Sequence, residues 1–335
     1  MKFNWFIGID VSKRTLDIHL RYLSDHVEYQ KIDNTAAGIK AFLSRCKELK
    51  VDFTDALFCL EYTGIYNELL VNTLSKKRLH IWVEQGLHVK KSLGMQRGKN
   101  DKVDASRLSE YAFRFQDKCK LWEPVSSSLK QLKDLTALRN RLIKAKKLLS
   151  VPITELAENA INKQHISQIS TLNRPVITQL CEQIKQVEKE ISTVITNDQR
   201  LQELQQIITS VDGIGPVTAW EMIIATNQFK SITDGRKFAC YAGVAPFEYQ
   251  SGTSIKGKPR VSHLANKKMK QLLHLSALSA TVMKGELNEY YNRKVAEGKS
   301  KMLVLNNIRN KMILRIFACV NENRKYEKTY MPSLA

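Results

Sequence analysis

No run of apolar residues in this 335-residue chain approaches the roughly 18–20 needed for a spanning helix. No signal-peptide core opens it. Both absences argue for a soluble, cytoplasmic protein with no membrane partner. Cysteine is sparse and scattered: Cys46, Cys59, Cys119, Cys181, Cys240 and Cys319 include no close pair. A zinc ribbon and a disulfide framework are therefore not expected. Seven histidines form no His-Glu-x-x-His pattern. A catalytic metal would then be a hard ion on oxygen ligands, Mg²⁺ or Mn²⁺. There is no internal repeat, no low-complexity tract, and no evident helix-turn-helix or zinc finger.

What the chain has is positive charge. Lys and Arg number 53 against 33 Asp and Glu, a formal +20, with 43% apolar residues, enough for real cores. Residues 251–330 hold 17 Lys/Arg and 5 Asp/Glu, so they carry +12 of that excess. A polyanion is the partner such a surface fits.

Length and patterning predict three regions. Residues 1–122 alternate strands and helices. Strands are expected at Trp5–Val11, Thr15–Leu20, Val27–Ile32, Ala56–Glu61 and Leu79–Val83, with helices at Ala37–Leu49 and Ile65–Lys76. Three adjacent strands followed by α/β alternation predict a mixed sheet with helices on its faces. Residues 123–205 read as helical. Leu129, Leu132, Leu135, Leu138, Leu142 and Leu149 recur at helical spacing, interrupted by Pro152 and then by residues 159–170. Val176, Leu180, Ile184, Val187, Ile191 and Val194 follow as a heptad-like seam. Such a seam suits an antiparallel hairpin or an intermolecular coiled coil. Residues 206–335 read as mostly α, with helices at Met269–Met283 and Lys301–Val320.

Four carboxylates stand out in the first region. Asp10 and Glu61 each end an apolar strand, and Asp101 and Asp104 share a helix face at i and i+3. Singly, each reads as a turn residue, cap or dipole-favoured surface acid. Jointly they form a set of oxygens able to hold two divalent ions at a phosphodiester. In the third region, Ser210-Val211-Asp212-Gly213-Ile214-Gly215-Pro216 has the form of a helix-hairpin-helix turn. The amides at Gly213 and Gly215 would meet a phosphate without reading sequence. Further on, Glu248–Arg260 reads as a flexible basic loop with a Ser251-Gly252 step. Lys256, Lys258 and Arg260, with Lys267 and Lys268, are placed to neutralise phosphates. No local His-Asp pair stands beside Ser251, so a hydrolase triad is not supported.

The segments Phe6-Ile7-Gly8-Ile9-Asp10-Val11-Ser12-Lys13, Glu61-Tyr62-Thr63-Gly64 and Lys99-Asn100-Asp101-Lys102-Val103-Asp104-Ala105 resemble the Asp-Glu-Asp-Asp signature of the insertion-sequence 110 transposases and the related pilin-gene invertases. The resemblance covers nearly the whole chain, the central helices only in kind. It implies a RuvC branch of the ribonuclease H fold for residues 1–122, with Asp10, Glu61, Asp101 and Asp104 as metal ligands. It also implies a nucleophilic serine in a Ser-Gly loop, at Ser251, with Ser254 and Ser262 as weaker candidates. The expected activity is DNA strand exchange through a phosphoserine link between target and donor DNA, directed by a noncoding bridge RNA and carried out by a homodimer or homotetramer. Where the family has Ser-Lys-x-Gly-Asn, this chain has Ser262-His263-Leu264-Ala265-Asn266, which puts that turn and one phosphate contact in question. A site-specific invertase, a junction-resolving nuclease using water, and a nucleic-acid-binding protein without catalysis are the competing readings.

The charge excess yields a direct expectation. Affinity for duplex DNA should fall steeply with salt, with a log–log slope of about −0.9 per phosphate contact. A slope near zero in a filter-binding titration would remove the polyanion reading.

Overall fold

The computed structural model describes residues 2–94, 100–158, 163–251 and 255–327. The chain divides into two compact units, Met1–Pro124 and Val125–Ala335.

The first unit is built on one mixed five-stranded sheet. Its strands are β1 (Trp5–Val11), β2 (Thr15–Tyr22), β3 (Asp25–Asp33), β4 (Ala56–Glu61) and β5 (His80–Glu84). Their spatial order is β3-β2-β1-β4-β5. β1–β2 and β2–β3 pair antiparallel, whereas β1–β4 and β4–β5 pair parallel. β1 and β4 match the apolar runs residue for residue, because both are buried on both faces and read as continuous hydrophobic segments. β2 and β3 run slightly beyond their expected ends.

Helices cover both faces. On one side, α1 (Ala36–Glu48) turns Ile39, Phe42, Leu43 and Cys46 into the core, with the Thr35 side chain capping it at Gly38 N–H, 3.1 Å. α2 (Glu68–Lys76) lies on the same core, which takes Ile7, Ile9, Phe58 and Leu60 from the sheet. A 3₁₀ turn, Gly64–Asn67, replaces the first turn of the helix expected from Ile65. The opposite core takes the alternate residues Phe6, Leu57 and Cys59, packed by α3 (Gly86–Ser92) and α4 (Asp101–Arg114).

The approach of α4 to β1 depends on one glycine. A Cβ on Gly8 would lie 2.2 Å from Ala105 O and 2.2 Å from Ser109 N, so the helix backbone rests directly on the strand. No side chain fits there.

The second unit begins with two long helices, α5 (Ser127–Glu158) and α6 (Lys163–Thr196). They fold back on each other, tied by Arg139 Nε to Glu188 Oε1 at 2.7 Å. The expected interruption at Pro152 does not occur: α5 continues through it, and α6 is already helical from Lys163. Pro152 removes one N–H from an exposed turn, where water can satisfy the freed carbonyl, so the helix survives. Residues 159–162 lie outside the described residues. Along the seam of α6, Val187, Ile191 and Val194 are buried, whereas Val176 is exposed. The buried end joins a core shared with α7 (Gln199–Thr209), α8 (Pro216–Ala225), α9 (Gly235–Tyr241), α10 (Lys267–Val282), α11 (Glu286–Ala296) and α12 (Lys301–Asn321). The predicted loop at Glu248–Arg260 is instead an antiparallel hairpin, β6 (Phe247–Ser251) and β7 (Ile255–Arg260). Its alternation was masked by glycine and basic residues. Among the described residues no helix is long and apolar enough to cross a membrane.

Replacing Gly8 with Val should cost about 3 kcal/mol or more, since backbone and not a flexible side chain must yield. Urea unfolding of the variant measures it. A change below 1 kcal/mol would mean that α4 does not sit flush on β1.

Candidate acidic site on the sheet

Strand alternation decides which residues face α4. Gly8 faces it, so Asp10, two residues on, does too. The registers Asp10↔Asp17 and Asp17↔Lys31 carry that row across β2 and β3, and Glu61↔Glu84 extends it on the other side. β1 and β4 pair in parallel up to Ile9↔Leu60, which brings the Asp10 and Glu61 strand ends level. One row of the sheet therefore carries Lys31, Asp17, Asp10, Glu61 and Glu84.

α4 completes the arrangement from above. Asn100 caps it, its Oδ1 accepting from Val103 N–H at 2.8 Å. Asp101 and Asp104 occupy its first turn, where the helix dipole favours negative charge. Asp104 directly precedes the Ala105–Ser109 stretch that rests on Gly8, and Asp101 lies one turn before it.

The charges are felt at Asp10. Its carboxyl is pushed up to about 6, first by burial, then by Asp104, Asp101, Asp17 and Glu61. All four sequence-predicted acids thus share one electrostatic neighbourhood. The Glu61 side chain is packed against Gly86 at the start of α3, where a Cβ would fall 1.9 Å from Glu61 Oε1.

Three members of the row escaped the sequence reading: Asp17, Lys31 and Glu84. Asp17 is 2% exposed. The Tyr29 hydroxyl donates to it, and Lys31 Nζ lies 3.2 Å away. Tyr29 is accordingly pushed up to about 12, chiefly by that hydrogen bond. Lys31 also reaches Asp101 at 3.6 Å, bridging β2 to α4. Glu84 accepts from Gln85 N–H at 2.7 Å and from the Tyr111 hydroxyl at 3.2 Å, with His88 Nδ1 at 3.0 Å. A second polar pair docks α4: His19 Nδ1 lies 2.8 Å from Ser109 Oγ. Burial, then His26, Arg21 and Lys102, hold the His19 imidazole down to about 4, so it is neutral near pH 7.

The donor set suits a hard divalent cation, which would relieve the repulsion at Asp10. Asp10, Glu61, Asp101 and Asp104 would hold it. As they stand, however, no three acid, imidazole or thiol side chains among the described residues lie close enough to share one ion. Two carboxylates are engaged elsewhere: Asp104 by Arg107 at 2.8 Å and Asp101 by Lys31. A metal ion would share Asp104 with Arg107 and Asp101 with Lys31, each carboxylate having a second oxygen to offer.

In the second unit, Ser251 ends β6 opposite Ile255. The side chains of Ser251 and Lys256, and residues 252–254 with Gly252 and Ser254, lie outside what the structure describes. Lys258 and Arg260 are exposed on β7, and Lys267 is exposed at the start of α10. Lys268 is paired to Glu221 of α8. Gly213 has φ +85°, and a Cβ there would lie 2.6 Å from Ser276 O, so this glycine serves close packing on α10. Gly215 caps α8 ahead of Pro216, with open space around it. The Ser262–Asn266 turn forms despite its departures: Asn266 N–H donates to Tyr241 O at 2.8 Å, and its Oδ1 caps α10 at Met269.

Comparison with known sequences places this architecture. A profile described as the transposase IS116/IS110/IS902 family matches residues 205–292, and an IS110-type Asp-Glu-Asp-Asp profile, described as a transposase, matches residues 7–157. The chain belongs to the IS110/IS116/IS902 transposase family. The pilin gene-inverting protein of Moraxella bovis is 24% identical over 329 residues, covering 96% of this chain and 98% of its own. An uncharacterized 43.6 kDa protein of insertion element IS110 from Streptomyces coelicolor is 28% identical over 151 residues, 45% of this chain and 36% of its own. A transposase for insertion element IS1328 from Yersinia enterocolitica is 29% identical over 118 residues, 35% and 33% respectively. The acidic domain of this family suggests use of a divalent metal.

The raised Asp10 pKa fixes a sign. In metal-free protein above pH 6, Asp10 is ionised in both native and unfolded states, and the native state bears the penalty. Below its ordinary 3.8 both are neutral and the penalty is gone. Asp10→Asn should therefore stabilise the chelator-treated protein at pH 8 by about 1–2 kcal/mol after solvent screening, and the gain should vanish by about pH 4. Thermal melts across that range read it; a pH-independent gain would contradict the crowding of charge.

Proposed function

We propose that this transposase-family protein exchanges DNA strands through a covalent phosphoserine intermediate, using Mg²⁺ at the acid row. The observation that carries the reading is the electrostatic convergence of Asp10 and Glu61 on the sheet with Asp101 and Asp104 on α4. The strand order β3-β2-β1-β4-β5, antiparallel then parallel, supports a RuvC-like ribonuclease H fold for the first unit.

The Ser251 Oγ–phosphorus bond forms, and the bond from that phosphorus to a deoxyribose oxygen breaks. The leaving hydroxyl takes the proton that the serine gives up. A hydroxyl from another strand then attacks the phosphoserine, reversing each change and freeing Ser251, so rejoining needs no ATP. Bound Mg²⁺ would supply neutralisation of charge on the phosphate and on the leaving oxygen. Lys256, Lys258, Arg260, Lys267 and the α7–α8 turn at Gly213 and Gly215 contact nucleic-acid backbone in this reading. Lys268 joins them once released from Glu221.

A noncoding bridge RNA, paired to target and donor DNA, supplies the address; the basic excess of residues 251–330 supports an RNA partner held by its backbone. Assembly as a homodimer or homotetramer is supported by the exposed apolar residues Leu148, Val151, Leu172 and Val176 on α5 and α6. A second reading, inversion at one genomic locus by the same chemistry, is favoured by the near full-length likeness to the pilin gene-inverting protein.

Ser251→Ala should abolish a denaturant-resistant protein–DNA adduct while leaving DNA binding within about twofold. Asp104→Ala should abolish Mg²⁺-dependent cleavage. An adduct that persists in Ser251→Ala refutes the serine. Cutting with no adduct in the unmodified protein supports a water-using nuclease instead.

A further inference from the structure

Directly after Glu61, the chain exposes an apolar and aromatic surface. Tyr62 is 54% exposed, Ile65 73%, Tyr66 39% and Leu69 41%. Exposed side chains of this size, grouped on one short segment beside an acid row, are not explained by the core.

The segment is held from beneath. Tyr62 N–H donates to Glu84 O at 2.8 Å. The buried Asn67 side chain donates to Glu61 O at 2.8 Å and accepts from Thr63 N–H at 3.3 Å and from the Thr63 hydroxyl. Gly64 supplies the left-handed turn, φ +74°. The backbone that carries the two rings is therefore anchored, and each ring has only two side-chain torsions to order on binding.

A basic turn is fastened to the same segment. Asn34 Nδ2 donates to Ser12 O at 3.0 Å and to Tyr66 O at 3.1 Å, and Asn34 N–H donates to Arg14 O at 2.8 Å. The β1–β2 turn carrying exposed Lys13 and Arg14 is thereby locked beside Tyr66. Two flat rings with an aliphatic neighbour, next to two cations and the acids that would face a scissile phosphate, match one chemistry: an unpaired nucleobase and its flanking phosphates. A protein partner would gain from the apolar residues but would not need the cations of the neighbouring turn.

We propose that Tyr62, Ile65 and Tyr66 form a stacking platform for an unpaired base of the DNA strand being cut, with Lys13 and Arg14 on the adjoining phosphates. Stacking is indifferent to base identity, so the platform holds a melted strand without choosing its sequence. The assignment rests on the strand-exchange reading, because that reaction opens a duplex at the site.

The test uses the full chain with chelator, so that no cleavage occurs, and a single-stranded oligonucleotide containing 2-aminopurine. The unmodified protein should quench the probe. The double variant Tyr62→Ala/Tyr66→Ala should bind it about tenfold or more weakly and lose the quenching, with Tyr62→Phe/Tyr66→Phe within about twofold of the unmodified protein. Fully paired duplex should bind all three alike. If the double variant fails to fold, Ile65→Asp at its 73% exposed position should produce the same loss. Unchanged quenching in the folded Ala variant or in Ile65→Asp overturns the platform. So does loss of self-association in place of loss of DNA binding, which would make this face a subunit contact. Failure of the strand-exchange reading looks different: no Ser251 adduct forms in the unmodified protein, whatever the probe reports.

Discussion

The acid row exists because a helix backbone lies against a bare strand. Gly8 offers no Cβ, so α4 settles onto β1 through Ala105 and Ser109. That contact fixes the height of the first helical turn over the sheet, and Asp101 and Asp104 are in that turn. His19 and Ser109 reinforce the seat with a buried hydrogen bond, and the neutral imidazole adds no charge to it. Without this flush packing, the sheet row and the helix acids would be separate surface features with ordinary ionisation.

Packing energy and electrostatic repulsion oppose each other here. The two apolar cores of the first unit hold the sheet and its helices together, and they do so at the cost of crowding carboxylates at one edge. The metal-free arrangement is partly relieved by cations of the chain itself. Lys31 serves Asp17 and Asp101, and Arg107 serves Asp104. Asp17 is held by Tyr29 and Lys31 and is the member most fully removed from solvent. It is suited to steadying the row, whereas Asp10, with its raised pKa, is the member whose ionised form most needs a counter-charge.

Much of this was legible in the residues. β1 and β4 emerge whole because a strand buried on both faces is a continuous apolar run ending in a polar residue, here Asp10 and Glu61. The i, i+3 spacing of Asp101 and Asp104 survives as the first turn of α4. Asp17, Lys31 and Glu84 were hidden because the polar phase of an alternating strand looks the same whether it faces water or a covering helix. Pro152 misled because an exposed helix tolerates a missing donor better than sequence rules suggest. The β6–β7 hairpin was obscured by its glycines and lysines, which read as loop until the pairing of Gln250 with Lys256 and Ser251 with Ile255 is seen. Lys268 looked like a phosphate ligand, but only tertiary structure reveals Glu221 beside it.

Gly86 sits where any other amino acid would intrude on Glu61, so a position without chemistry of its own limits where that carboxyl group can point. Even alanine at 86 would force the end of the Glu61 side chain to move aside while leaving every acid in the sequence intact. An inventory of acidic residues would not register such a shift, because the position that limits Glu61 carries no charge of its own.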